Sequence, residues 1–189
     1  MRLNKQMKNE ELNIITRILS GKTDEFTYFF DTYGQQVYSL IVRIVRSEAD
    51  AEELTQDTFM KCFENLSSFN AKSSFSTWLY RIAYNTAISF TRKKEPEVNV
   101  YDEKIWNTIS DTEIDETMND ESEENINKLY KALTMLQPDE RALITLFYEQ
   151  EKTIQEIQQI LNVKESFIKV KLHRIRKKLY ILMKKEEEL

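Results

Sequence analysis

SEADAEELTQDTFMKCFENLSSF at residues 47–69 and SSFSTWLYRIAYNTAISFTRKK at residues 73–94 are the two stretches of sequence that decide the fold. In both, apolar residues recur at helical spacing and predict the buried side of an amphipathic helix. The first apolar side holds Ala51, Leu54, Cys62, Phe63 and Leu66. The second holds Leu79, Ile82, Ala83, Thr86 and Phe90. We therefore expect two helices joined by a short loop.

The polar sides of these two helices differ in charge. The first is mainly acidic and holds Glu53, Gln56, Asp57, Lys61 and Glu64. The second is basic and rich in hydrogen-bonding groups; it holds Arg81, Asn85, Ser89 and Arg92, with Trp78 one turn earlier. Periodicity alone fits two ordinary helices with solvated outer sides equally well, so a functional interpretation needs further support.

Composition favours an all-α protein. Two Gly and two Pro among 189 residues leave little material for hairpins. The single Cys62 excludes an internal disulfide and a cysteine-rich metal site, which fits a reducing, cytoplasmic compartment. No secretion signal is visible, and no stretch approaches the about 18 apolar residues that a membrane span needs.

Charge is segregated along the chain. Residues 95–125 contain twelve Asp or Glu and one Lys, a local charge of −11, although the whole chain carries only −5. Residues 164–185 contain nine Lys or Arg and one Glu, a local charge of +8. The acidic segment loses helical periodicity over residues 95–123, and Pro96 discourages continuation of the preceding helix, which predicts a flexible linker. A solvating spacer is the ordinary interpretation, yet Tyr101, Ile105, Trp106 and Ile109 are apolar enough to contact a partner.

The segments before and after this core also read as helices. Leu12, Ile15, Ile18 and Leu19 share one side of an N-terminal helix that Gly21 is expected to end, and Thr23 is a candidate cap for the next helix. Beyond the linker, Thr153 to Glu156 form a capping-box pattern that opens a short helix ending near Asn162. A longer basic helix follows, so residues 124–185 are predicted to contain a helix-turn-helix.

Two sequence matches point to one family. DAEELTQDTFMKCFENLSSF followed by FSTWLYRIAYNTAISFTRKK resembles region 2 of the extracytoplasmic-function (ECF) subgroup of bacterial sigma factors. LQPDERALITLFYEQEKTIQEIQQILNVKESFIKVKLHRIRKKL is similar to sigma region 4, although Asn162, Lys164 and Val170 depart from the usual pattern. The resemblance implies a region 2 domain over residues 10–94, an acidic linker over 95–123 and a region 4 domain over 124–185.

The resemblance also implies site residues. The polymerase-binding candidates are Glu53, Gln56, Asp57, Met60 and Lys61. The candidates for the −10 promoter element are Phe69, Asn70, Lys72, Trp78, Arg81, Asn85, Ser89 and Arg92, where Trp78 is either at the melting fork or a packing residue. The candidates for the −35 element are Lys169, Lys171, His173, Arg174, Arg176 and Lys177. Helical phase places Lys169 and His173 on the outward side of the helix, so we expect them to read bases. We expect Arg174, Arg176 and Lys177 to contact phosphates.

Catalysis and cofactors are not expected. The chain has one histidine and neither a P-loop nor a GxGxxG motif, so we predict no enzyme activity, no metal and no cofactor. The expected partners are core RNA polymerase and promoter DNA at its −10 and −35 elements, and an anti-sigma factor is a further partner that the resemblance allows. A stand-alone helix-turn-helix regulator explains the C-terminal half equally well but not the N-terminal half, and a protein-interaction adaptor does not explain the charge segregation.

Overall fold

Nine α-helices and no β-strand make up the part of the chain that the computed structural model describes, residues 2–94 and 110–185. The helices are α1 (Arg2–Leu19), α2 (Thr27–Val45), α3 (Glu48–Glu64), α4 (Phe75–Lys94), α5 (Asp111–Met118), α6 (Glu123–Thr134), α7 (Pro138–Ile144), α8 (Ile154–Leu161) and α9 (Glu165–Lys185). Two 3₁₀ turns, Thr23–Phe26 and Leu66–Ser68, and one π turn, Thr145–Glu149, connect some of them. The predicted all-α fold class is confirmed. The predicted partner contacts of Tyr101, Ile105, Trp106 and Ile109 lie outside the described residues.

Several helix ends form as local sequence predicts. The Ser47 hydroxyl accepts a hydrogen bond from the Asp50 amide at the start of α3. Thr153 and Glu156 form the full capping box of α8, in which each side chain bonds the other residue's backbone amide. Asn162 ends α8 in the left-handed conformation with φ of 57°, which asparagine adopts more easily than most residues.

Four local expectations are wrong. Thr23 does not cap α2, because residues Thr23–Phe26 form a 3₁₀ turn and the α-helix starts at Thr27. Leu19 and Phe63 are exposed rather than buried, since each lies at the edge of its apolar side. The predicted linker, residues 95–123, contains a helix, because Ser110 and Glu113 form a capping box that opens α5 there. The division into domains stays a prediction.

The N-terminal half is built on α2, α3 and α4, which pack against one another. The ring centroids of Phe29 on α2 and Phe75 on α4 lie 3.9 Å apart, and both side chains are buried. Leu79 and Ala83 of α4 are fully buried in the same core. Burying side chains of this size stabilises a fold by roughly 1.5–3 kcal/mol for each large apolar residue. The result is a fixed platform that holds α4 and the loop before it.

The C-terminal half is organised around α9. Its apolar stripe is buried against α6, α7 and α8, and consists of Ile168, Leu172, Ile175, Leu179 and Leu182. Lys178 lies on this buried side with 4% of its surface exposed, and its ammonium is 2.6 Å from Glu140 on α7. Because a buried charge is costly unless it is paired, this ion pair fixes the register of α9 against α7.

Arginine side chains join the two halves. Arg141 of α7 donates hydrogen bonds to the carbonyls of Arg43 and Ile44 at the end of α2, where helix carbonyls have no partner within the helix. Arg46, the left-handed C-cap of α2, donates in return to the Thr134 carbonyl at the end of α6. Backbone carbonyls at two helix ends thereby accept hydrogen bonds from arginine side chains of the opposite half. No apolar pattern in the sequence encodes this contact.

We expect Arg141→Ala to lower the free energy of unfolding by about 1–3 kcal/mol, because it leaves part-buried carbonyls without donors. For a chain of this size, each kcal/mol corresponds to roughly 2–4 °C in melting temperature. Thermal unfolding followed by circular dichroism measures the change. Arg43→Ala is the matched control, since it removes only an exposed ion pair with Glu149 at 3.2 Å, worth about 0–1 kcal/mol. Equal shifts for the two variants would contradict the role given to Arg141.

Candidate polymerase and nucleic-acid interfaces

Helix α3 presents the predicted acidic side to solvent. Glu53, Gln56 and Met60 are exposed, and Met60 has 62% of its surface accessible. Asp57 and Lys61 are half-buried and form an ion pair of 2.6 Å within the helix. All five predicted polymerase-binding residues therefore lie on one connected, accessible side of α3, over slightly more than two turns.

An apolar patch adjoins this side of α3. Phe30 of α2 and Phe63 of α3 are exposed large hydrophobic residues, and with Met60 they line a shallow pocket that also includes Gln56. The Phe30 ring packs edge-on against Phe59 with centroids 5.0 Å apart, so the patch is continuous with the core. Sequence analysis missed Phe30 because it lies on α2, and it assigned Phe63 to the interior. An apolar centre with a charged rim is the usual composition of a protein-binding surface.

Helix α4 leaves one stripe exposed. Its other sides pack on α2, α3, α7 and α8. The exposed stripe consists of Arg81, Asn85, Ser89 and Arg92. These residues follow one another at i, i+4, i+8 and i+11, so the structure brings the predicted −10 candidates of this helix onto one side. The stripe offers two guanidinium groups, an amide and a hydroxyl, which suit phosphates and base edges.

The loop before α4 places aromatic and polar groups beside the start of that stripe. Phe69 and Trp78 are half-buried with ring centroids 5.3 Å apart, and both also contact Phe75. The Asn70 side-chain oxygen accepts a hydrogen bond from the Lys72 amide at 3.2 Å, and Ala71 between them has a φ of 56°. A residue other than glycine in this region costs about 1 kcal/mol or more, so the loop is held in one strained conformation.

A polar groove of about 670 Å³ separates this loop from the helix-turn-helix. One wall carries Phe69, Asn70, Lys72, Trp78 and Arg81. The other carries Gln158, Gln159, Asn162, Val163 and Lys164 around the turn between α8 and α9. Among the described residues, the lining contains cations, amides and aromatic rings and no carboxylate, which is the chemistry that binds single-stranded nucleic acid.

The predicted −35 residues of α9 have different surroundings. Lys169, His173 and Arg174 are exposed, while Arg176 and Lys177 are half-buried. Lys171 is turned towards α7, where its ammonium pairs with Asp139. His173 Nε2 lies 3.7 Å from Asp111, and Arg176 Nη2 lies 2.5 Å from Asp115, both on α5. The structure therefore leaves five of the six residues on the outer side of α9, whereas Lys171 is half-buried and held by Asp139 of α7.

The titratable groups in the interior do not suggest chemistry. Burial raises the pKa of the Cys62 thiol to about 12, so it stays protonated and unreactive. Desolvation lowers the pKa of Lys152, whose ammonium lies 4.5 Å from the centre of the buried Tyr80 ring. Within residues 2–94 and 110–185, no group of three or more His, Cys, Asp or Glu is placed to hold a metal ion. None of the helices in the described part of the chain is long and apolar enough to span a membrane.

Comparison with known proteins identifies both halves. Residues 29–97 match the family described as sigma-70 region 2, and residues 126–179 match sigma-70, region 4. The ECF RNA polymerase sigma factor SigW of Bacillus subtilis (strain 168) is 31% identical over 173 residues, which cover 87% of this chain and 92% of that protein. SigX of the same organism, also an ECF RNA polymerase sigma factor, is 30% identical over 155 residues, covering 80% of this chain and 79% of that protein.

Solved structures show the same fold. CnrH in complex with the cytosolic domain of CnrY superposes with a TM-score of 0.62 at 18% identity, covering 90% of this chain and 95% of CnrH. The sigma factor RpoE of Bartonella quintana, solved with the anti-sigma factor NepR, gives a TM-score of 0.61 at 22% identity, covering 85% and 97% of the two chains.

These matches define a two-region sigma-70 protein. The chain belongs to the ECF family of bacterial RNA polymerase sigma factors. It therefore binds core RNA polymerase and directs it to promoter DNA to start transcription, and it has no enzyme activity of its own. The prediction of the family and its function from the two sequence matches is confirmed.

Proposed function

We propose that the sigma factor divides its work among three surfaces: α3 binds core polymerase, α4 with its preceding loop reads the −10 element, and α9 reads the −35 element. One observation carries the proposal. The three surfaces are exposed on different helices and differ in chemistry, since the α3 side is acidic with an apolar patch whereas the other two are basic. An acidic surface repels DNA phosphates and suits a protein partner.

The polymerase surface consists of Glu53, Gln56, Asp57, Met60 and Lys61, and we add Phe30 and Phe63. Exposed apolar side chains at the centre of a patch supply most of the binding energy, and surrounding charges select the partner. Met60 and the two phenylalanines are that centre. Glu53 and Asp57 form the charged edge, so a basic surface on the polymerase is the complementary partner.

The −10 surface combines the loop and α4. The four exposed polar residues of α4 follow the strand, while Asn70 and the ring pair of Phe69 and Trp78 accept an unpaired base in the groove. Stacking on an aromatic ring is worth about 1–3 kcal/mol per base. The contact of Trp78 with Phe69 and Phe75 supports both of its predicted roles, because a ring packed on one face can stack on the other.

The −35 surface is the outer side of α9 with Lys169, His173, Arg174, Arg176 and Lys177. We leave Lys171 out, because its side chain is turned towards α7 and its ammonium is paired with Asp139. The pairing of Lys169 with Glu165 on the same helix is exposed and costs little to exchange for a base edge.

We further propose that the protein works in the cytoplasm and that an anti-sigma protein restrains it, as the solved complex of RpoE with NepR suggests.

Glu53→Arg combined with Asp57→Arg is expected to abolish assembly with core polymerase while leaving the fold intact. Exposed charge reversals shift stability by only about ±0.5 kcal/mol, so loss of binding would report the surface itself. Co-purification with core polymerase and circular dichroism measure the two effects. The control variant, Glu116→Arg with Glu121→Arg, changes the net charge by the same amount on another segment and should assemble normally with core polymerase. Normal assembly of the Glu53→Arg, Asp57→Arg variant would contradict the assignment of the α3 surface.

Asn70→Ala and Asn85→Ala are expected to change −10 sequence preference more than total transcription, because base contacts specify while phosphate contacts position. The readout is transcript sequencing after transcription by holoenzyme from a library randomised in both promoter elements. Arg92→Ala is the comparison, since loss of a phosphate contact should lower output from all −10 sequences alike. Unchanged preference in both asparagine variants would refute base reading at these positions.

Lys169→Ala and Arg176→Ala are expected to differ. Loss of Lys169 should relax selection at one −35 position at a cost of about 1–3 kcal/mol on the preferred base. Loss of Arg176 should weaken binding uniformly and reduce the slope of log affinity against log salt by roughly one unit. The same library, followed by binding of selected promoters at several salt concentrations, separates the two. Indistinguishable profiles would refute the division between base and phosphate contacts.

A further inference from the structure

Helix α5 lies against the outer side of α9. Two of its carboxylates meet two basic side chains of α9: Asp115 pairs with Arg176 at 2.5 Å, and Asp111 lies 3.7 Å from the His173 ring. Ile114, between these two carboxylates in sequence, is 2% exposed, although most of α5 is accessible. The contact is therefore a packed one and not only an encounter of opposite charges.

The ends of α5 are fixed by their own hydrogen bonds. At the start, the Ser110 hydroxyl and the Glu113 carboxylate form the capping box, and this bonding lowers the pKa of Glu113. At the end, the Asn125 side-chain amide of α6 donates to the carbonyls of Thr117 and Asp120. The helix is thus anchored to the same domain that contains α9, which sets the position of its acidic side.

The charge pattern of α5 matches that of α9. Asp111 and Asp115 are four residues apart, so they lie on one side of α5 about 6 Å apart along its axis. His173 and Arg176 are three residues apart on the matching side of α9. Both belong to the surface to which we assign −35 DNA. A cation held by a carboxylate is not available to a phosphate, and a helix seated there excludes the duplex.

We propose that this side of α9 is a binding surface with two alternative ligands, the phosphates of DNA and the acidic helix α5, which occupies it when DNA is absent. The proposal rests on the −35 role given to α9. Lys169 and Arg174 lie outside the contact with α5 and stay exposed for a first encounter with DNA. Because exposed ion pairs are worth only about 0–1 kcal/mol each, DNA with its many charges displaces α5 readily.

The test uses the full chain and a fluorescein-labelled 25-base-pair duplex of mixed sequence, because phosphate contacts do not require the promoter sequence. Asp111→Asn with Asp115→Asn removes the Asp115–Arg176 ion pair and the carboxylate beside His173. Glu116→Gln with Glu121→Gln makes the same charge change at two exposed acids that form no ion pair with α9 in the described structure. Ile114→Ala loosens the packing without any change of charge. His173 is the only histidine, so its ring signals in a carbon–proton spectrum report occupancy of the surface directly.

We expect the double asparagine variant to bind the duplex about three- to tenfold more tightly than the wild type, the change that loss of the exposed ion pair and of the carboxylate beside His173 can supply. Ile114→Ala should also bind more tightly, both variants should shift the His173 signals, and the glutamine control should do neither. An asparagine variant that binds no better than the glutamine control would overturn the proposal, as would unshifted His173 signals.

Arg174→Ala in the wild-type background tests the DNA role of α9 separately, because Arg174 belongs to the proposed −35 surface and lies outside the contact with α5. If it weakens duplex binding while the asparagine variant gains nothing, competition by α5 is refuted and the DNA role of α9 stands. If it leaves duplex binding unchanged, the proposed DNA role of this side of α9 fails, and the inference fails with it.

Discussion

The packing of α4 on its neighbours α2, α3, α7 and α8 is the constraint on which the rest of the structure depends. Its buried positions include Leu79, Ala83 and Ala87, all fully covered, and two of these are small enough to let neighbouring helices approach closely. With α2, α3, α7 and α8 in contact, only one stripe of α4 reaches solvent. A helix covered in this way has few positions where a polar side chain keeps its contact with water. In α4 those positions hold two arginines, Asn85 and Ser89. The core therefore decides which residues of α4 face DNA.

Structural features that depend on residues close together in sequence, such as helix caps, are predictable, whereas contacts between residues far apart in sequence are not. The caps at Ser47, Thr153 and Asn162 follow from bonds within a few residues, and they formed as expected. Helix α5 carried the same signal in Ser110 and Glu113, but the acidic composition around it outweighed that signal in our interpretation. Thr23 was misjudged because a threonine followed by acids also suits a 3₁₀ turn.

The basic residues of α9 show where helical phase stops being informative. Phase separated the apolar stripe from the charged side correctly, yet it did not tell which lysines turn inward. Lys178 is buried because Glu140 is there to receive it, and Lys171 turns inward because Asp139 is one residue earlier on the same helix. Both partners lie more than thirty residues away in the sequence. A buried lysine is tolerated only with such a partner, so its place depends on tertiary contacts that a single sequence does not reveal.

The junction between the two halves combines apolar packing with polar contacts. Its polar contacts are hydrogen bonds from Arg141 and Arg46 to helix carbonyls and from Tyr80 to Gln150, the last at 2.6 Å. Water satisfies the same groups when they are exposed, so each such bond contributes only about 0.5–1.5 kcal/mol net. The Lys178 ion pair of α9 has no such substitute, because only 4% of the lysine surface reaches water. The arginine hydrogen bonds therefore add to a junction that is also held by burial, since α4 packs on α8, α2 packs on α7, and the buried side chains of both halves form one continuous hydrophobic cluster.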